Sequence, residues 1–324
     1  MKLYYYEIPY KILIAANINL DYRRTSSQDL VSIHSNSKLR YPDLLIIYCD
    51  HELYSKEEDS EKAIKVGRYI TFIPDNTLIY RQNFLGSRVQ MIVRNLKSRP
   101  TYFYIYRNSE RVAKIPLPMR DLVRPLDVQR ALIQVKLIQK GSLEAHGAGL
   151  VSPYGNIIAT AYPDTGKTTT ALKLSRIPGF KVLSDDIVYI NQKGTFTGLG
   201  FSGNVYLGLA EKTLVSRAEF EFRKNIGTLL RYLAYIPYSP SPLKKLASNI
   251  VSIKSEPLGI SYFGEVMCNY FFILENGKEE VLPIERETAT KKFLEINRRE
   301  HYYFDNNFIL LSYSYFSKYF DFNY

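Results

Sequence analysis

The chain has 324 residues, enough to bury one large core or two of ordinary size. Hydrophobic residues make up 46% and charged residues 23%, which excludes the apolar-poor composition that keeps a chain disordered. A net charge of +11 favours anionic partners, among them nucleotides, phosphorylated substrates, RNA and acidic lipid surfaces, without choosing among them.

From residue 1 to about 118 the chain reads as short β-rich runs: LYYYEI, KILIAA, DLLIIYC, RYITFI, TLIYRQ, RVQMIVR and TYFYIYR. Turn signals such as Pro42-Asp43 and Arg107-Asn108 punctuate them. A mainly antiparallel β module is expected there. The first run is broken by Pro9 and Lys11, and no stretch of about 20 apolar residues occurs, which argues against secretion and membrane spanning and for a cytoplasmic setting. Residues 51 to 65, HELYSKEEDSEKAIK, are charged and read as a solvated loop or short exposed helix. Cys49 and Cys268 lie far apart and outside any metal-ligand spacing, so two buried, reduced thiols are expected rather than a disulfide framework or a zinc site.

The character changes near Pro116 and Pro118, and a second, α/β domain is expected over 119–324 after the β-rich module at 1–118. LDVQRALIQVKLIQK carries Leu126, Val128, Leu132, Val135, Leu137 and Ile138 at helical spacing. Two β-like runs follow, LEAHGAGLV and GNIIATA, joined by a turn at Ser152-Pro153-Tyr154-Gly155. A glycine and hydroxyl cluster then opens a helix at KTTTALKLS. KVLSDDIVYI reads as a strand interrupted by two acids, and NQKGT as a turn. Beyond it, residues 235 to 257 hold Pro237, Pro240, Pro242 and Pro257 and read as a loop and candidate substrate flap. The tail alternates strand-like NYFFILE and FILLSYSYF with helical TATKKFLEINRR.

The order strand, tight loop, helix is the context that a phosphate-binding loop needs. Residues 161 to 168, Ala161-Tyr162-Pro163-Asp164-Thr165-Gly166-Lys167-Thr168, follow the spacing GxxxxGK[ST] with Ala161 in place of the first glycine. Main-chain N–H groups from Pro163, Asp164, Thr165 and Gly166 through Thr169 are the cradle such a loop offers, less the one proline lacks. Gly166 lets the backbone approach the phosphate, Lys167 reaches the β and γ oxygens, and the Thr168 hydroxyl is placed to ligate magnesium. The positive end of the helix dipole adds to the same spot. ATP with Mg2+ is the expected cofactor pair. Asp185 and Asp186 sit downstream at the break in the KVLS run, where paired acids can divide metal holding from proton acceptance.

Residues 142 to 191 resemble the catalytic core of the HPr kinase/phosphorylase family, whose fold is related to that of phosphoenolpyruvate carboxykinase. The likeness is carried by His146-Gly147-Ala148-Gly149, by GNIIATAYPDTGKTTTAL and by the acids of LSDDIVYI. The family's loop carries glycine where this chain has Asp164, and no HPr-specific signature follows residue 200. The resemblance implies an HPr-kinase-like P-loop kinase rather than HPr kinase proper. In it Lys167 and Thr168 hold phosphates and magnesium, Asp185 serves as general base, Asp186 helps hold the metal, and His146 lies near the transferred phosphoryl group. Related kinases often assemble, so a homo-oligomer is among the expected partners, although the oligomeric state itself is not readable from the residues.

The expected activity is transfer of the γ-phosphoryl group of ATP to a hydroxyl of a protein, peptide or small-molecule acceptor. Two other readings stand beside it. One is a nucleotide-dependent regulatory or binding module without phosphotransfer. The other is contact with RNA or an acidic partner through Lys244-Lys245, Lys291-Lys292 and Arg298-Arg299.

Overall fold

A computed structural model describes residues 3–18, 20, 31–32, 41–54, 61–66, 68–73, 77–84, 86–109, 123–162, 165–175, 177–198, 205–206, 252–253, 264–277 and 280–300. The protein is a mixed α/β chain in which sheet outweighs helix. Its described residues fall into two compact units, one running to Leu143 and the other covering Glu144–Glu300. Set against the expected division at 118/119, the helix of LDVQRALIQVKLIQ belongs to the first unit.

The first unit is built on a nine-stranded sheet. Its strands are β1 (Tyr4–Ile8), β2 (Ile12–Ala16), β3 (Val31–Ser32), β4 (Leu44–Cys49), β5 (Ile64–Val66), β6 (Ile70–Ile73), β7 (Thr77–Phe84), β8 (Ser87–Arg94) and β9 (Thr101–Tyr106). They lie in the order β3-β1-β2-β4-β9-β8-β7-β6-β5. Pairing is antiparallel except at β2–β4 and β4–β9, so the module is mainly antiparallel with a parallel centre. Strands β4 and β9 alternate buried and half-buried residues, the period-2 pattern of a sheet with one face on a core. Helix α1 (Pro125–Gln139) starts on Pro125, whose fixed φ suits a first helical position. It buries Val128, Leu132, Val135 and Leu137, while Ile138, expected on the same face, is exposed.

The segment at 51–65 differs from the expected solvated loop at both described ends. Leu53 is buried among Ile73, Ile79 and Ile92, with its N–H donated to Gln90 Oε1 at 2.8 Å, and Ile64–Val66 adds the edge strand β5. A single apolar residue in a charged run has no periodicity to reveal it.

Among the described residues the second unit contains two four-stranded sheets and two helices. One sheet has the order β10-β14-β15-β18 and the other β13-β11-β12-β19. Their strands are β10 (Ser142–His146), β11 (Ala148–Val151), β12 (Ile157–Ala161), β13 (Lys181–Ser184), β14 (Ile187–Asn191), β15 (Thr195–Gly198), β18 (Val266–Met267) and β19 (Tyr270–Leu274). A separate ladder pairs β16 (Val205–Tyr206) with β17 (Ser252–Ile253). Ala145, Val188 and Phe196 from the first sheet meet Ile158 and Leu183 from the second in a shared core. The other face of the second sheet, through Ala148, Leu150 and Val182, packs on Ala171 of helix α2 (Lys167–Leu174). Helix α3 (Arg286–Glu300) lies against β12 and β19 and sets Phe293 edge-on to Phe271.

Each of the two expected runs LEAHGAGLV and KVLSDDIVYI divides into two strands. The chain leaves one sheet and joins the other at Gly147, and makes the reverse crossing at Asp185-Asp186. The two crossings are tied together, Gly147 N–H donating to the Asp186 carbonyl at 2.8 Å. Among the described residues no helix is long and apolar enough to cross a membrane. The candidate flap at 235–257, apart from Ser252–Ile253, lies outside the described residues, as does FILLSYSYF.

Candidate functional site

Strand β12 ends at Ala161, whose side chain is buried and whose backbone pairs with Leu274 of the parallel neighbour β19. That position is ordinary strand, so alanine fits where the loop pattern has glycine. Pro163 and Asp164 lie outside the described residues. On either side of them the loop closes tightly, because the Tyr162 carbonyl accepts both the Thr165 hydroxyl at 2.6 Å and the Thr165 N–H at 3.3 Å. Gly166 then takes φ 90°, a left-handed conformation that costs glycine little, and caps α2. The first bond closing the helix runs from Thr170 N–H to the Gly166 carbonyl at 2.8 Å. The opening N–H groups of α2 therefore have no acceptor within the helix.

Lys167 is the first residue of α2 and only 8% exposed. Its ammonium lies 2.6 Å from His146 Nε2 and 3.2 Å from Nδ1, 3.3 Å from Asp186 Oδ1 and 3.5 Å from the Asp186 carbonyl. Asp186 Oδ1 is also 3.4 Å from His146 Nδ1. The two sheet crossings thus deliver His146 and Asp186 to the lysine of the loop. His146 is held by its backbone on both sides: its N–H donates to Asn297 Oδ1 of α3 at 2.7 Å, and its carbonyl accepts the Thr160 hydroxyl at 2.7 Å. Neither Asn297 nor Thr160 carries a sequence motif, so pattern reading passes over both.

The two aspartates are unlike. Asp185 is 5% exposed at the end of β13, whereas the Asp186 side chain is 52% exposed. Ser184 Oγ accepts the N–H groups of Asp186 at 3.4 Å and Ile187 at 3.2 Å, which fixes the turn that carries them. Thr168 and Thr169 follow Lys167 in the first turn of α2 and are half-buried. No hydrogen bond engages the Thr168 hydroxyl among the described residues. The structure also leaves Asp186 Oδ2 without one among them.

No group of three or more His, Cys, Asp or Glu that would hold a metal by itself occurs among the described residues. Magnesium bound with a nucleotide needs no such cage, since one or two hard oxygen donors suffice beside the phosphates. The Thr168 hydroxyl and the Asp186 carboxylate are donors of that kind, and the site fits the ion on those terms.

The other candidates are less engaged with the site. Lys291 pairs with Glu287 at 2.8 Å and Lys292 with Glu275 at 2.6 Å, both as solvent-exposed ion pairs. Lys244 and Lys245 lie outside the described residues. Cys49 and Cys268 are partly buried free thiols, and burial pushes both above the usual thiol range. Neither a known family model nor a characterised protein sequence matches this chain.

Proposed function

We propose that the chain is an ATP-dependent kinase with a P-loop core of the HPr-kinase/carboxykinase type, transferring a γ-phosphoryl group to a hydroxyl acceptor. One observation carries this reading. The loop lysine at the head of α2 converges with His146 and Asp186, delivered from two separate sheet crossings.

In this reading Lys167 leaves His146 and Asp186 and turns to the β and γ oxygens, where its charge and the open N–H groups of α2 offset the phosphate charge. Thr168 and Asp186 would hold magnesium, which supplies further charge neutralisation when bound. His146 stands beside the γ-phosphoryl position, and the acceptor hydroxyl enters against it. Acceptor classes remain those of the residue reading: a protein, a peptide or a small molecule.

The test is a thermal-shift titration with ATP and magnesium. At about 100 times Kd the nucleotide stabilises the protein by about 2.7 kcal/mol, a Tm rise of a few degrees. Lys167→Met abolishes the rise, and an unchanged rise in that variant sinks the proposal. Labelled ATP then separates a kinase, which passes label to an acceptor, from a nucleotide-binding module, which does not.

A further inference from the structure

The centre of the nine-stranded sheet has two unlike faces. Leu44 and Ile46 of β4 and Phe103 and Ile105 of β9 are fully buried on one of them. Leu45, Ile47, Tyr102 and Tyr104, which alternate with them, share the other face and are half-buried. A parallel strand pair covered on both faces reads as a continuous aliphatic run, whereas β9 places tyrosine at 102, 104 and 106. From this face, which does not rest on the phosphotransfer reading, we infer a binding site for single-stranded nucleic acid. Its bases stack on Tyr102 and Tyr104, and its phosphates meet Arg94 and Lys97.

The first observation is the ring pair. Tyr102 and Tyr104 have centroids 6.1 Å apart and planes 12° from parallel, so the two rings present like-oriented π surfaces along one strand. Bases stack on such rings whatever their sequence, because every base has a π face. Tyr104 and Tyr106 also lean on the buried cluster of Leu53, Ile73, Ile79 and Ile92, which holds the stripe in place before a ligand arrives.

The second is charge. Arg94 of β8 is the cross-strand neighbour of Tyr102, and its cation opposes the rise that burial gives the Tyr104 hydroxyl pKa. The turn from β8 to β9, residues 95 to 99, adds exposed Lys97 and Arg99 and contains no acid. Asp43, the acid at the head of β4, is buried and held by Arg99 at 3.0 Å and Lys140 at 2.8 Å. Arg94 and Lys97 have interactions within the chain as well. A guanidinium carries five N–H donors and an ammonium three, so each has donors to share with a phosphate oxygen. An acidic protein segment would engage these cations and leave the rings unused. A single strand repeats a base and a phosphate at each step and engages both.

Fluorescence anisotropy of the full chain with a labelled, mixed-sequence RNA of about ten nucleotides tests this. Tyr102→Leu and Tyr104→Leu keep apolar bulk, remove the π face, and each weaken binding by roughly 5- to 150-fold. Arg94→Gln lowers the slope of log affinity against log salt by about 0.7. Should a tyrosine variant fail to fold, the wild type decides: RNA carrying 4-thiouridine, crosslinked by light and digested with trypsin, attaches to peptide 98–107, which holds the three tyrosines. No binding by the wild type, attachment to other peptides alone, or equal affinity in the wild type and both folded tyrosine variants overturns the site. Displacement of the RNA by ATP and magnesium at fixed ionic strength overturns it in favour of the loop at Lys167. Displacement by polyglutamate as readily as by unlabelled RNA overturns it in favour of an acidic protein partner. A dimer of the free chain that Tyr102→Leu dissociates gives the face to a second copy and overturns it likewise.

Discussion

Lys136 points its ammonium at the carbonyls of Leu96 and Ser98, each at 3.0 Å, and at Gln139 Oε1 at 2.9 Å, while only 3% exposed. Burial lowers its pKa to about 8, with Asp43 nearby opposing the shift and Lys140 and Arg99 adding to it. The sign follows from proton counting. Between about pH 8 and 10.5 the unfolded chain holds this proton and the folded chain does not, so stability rises with pH through that window. The gain is absent below about 8 and complete above 10.5, with a ceiling of about 3 kcal/mol. Urea melts of wild type and Lys136→Met at both ends should show wild type gaining on the variant at the alkaline end. A difference between the two proteins that does not move with pH would contradict the shift. At the same scale, Ala161 and Gly166 behave differently although both belong to one loop pattern. Ala161 occupies strand backbone, while Gly166 needs a left-handed φ of 90°.

At the scale of elements, the site depends on how closely two sheets approach where strands cross between them. A Cβ on Gly198 of β15 would stand 2.6 Å from the Leu183 carbonyl and 2.6 Å from Ser184 Cβ, both on β13. Backbone cannot swing aside as a side-chain tip can, so Gly198→Ala should destabilise the protein by about 1–3 kcal/mol. Gly277, with nothing within 4 Å of its would-be Cβ, is the matched control and should change stability little. Equilibrium unfolding of both variants checks the pair, and equal effects would mean that the sheets are not in contact there. Strain at Gly198 would reach the site as well, because Ser184 precedes the acidic turn and accepts its two N–H groups.

For the whole molecule, a net charge of +11 sets a field that draws in a polyanion such as ATP. Raising ionic strength from about 0.05 to about 0.5 M should weaken ATP binding roughly 3- to 10-fold, as screening shortens the reach of that field. A fluorescence titration at the two salt levels measures it, and salt-independent affinity would assign the recognition to short-range contacts alone. Reading residues alone, most strands of the first unit, helix α1, the turn at Asn191–Gly194 and the strand–loop–helix around Lys167 were legible, because each has a local period or a local turn chemistry. Three things were not. Leu53 is apolar in a charged run, Ile138 turns out of a helical stripe, and the runs LEAHGAGLV and KVLSDDIVYI, the second already interrupted by two acids, are each shared between two sheets. The sequence by itself determined which side chains are available for phosphate chemistry: a lysine at the head of a helix, a histidine and paired acids. Only the tertiary structure decided that His146, Lys167 and Asp186 meet, since the chain crosses between sheets at points 39 residues apart, from Gly147 to Asp186, and long-range pairing joins them. Local sequence carries no record of which distant strand a crossing will meet.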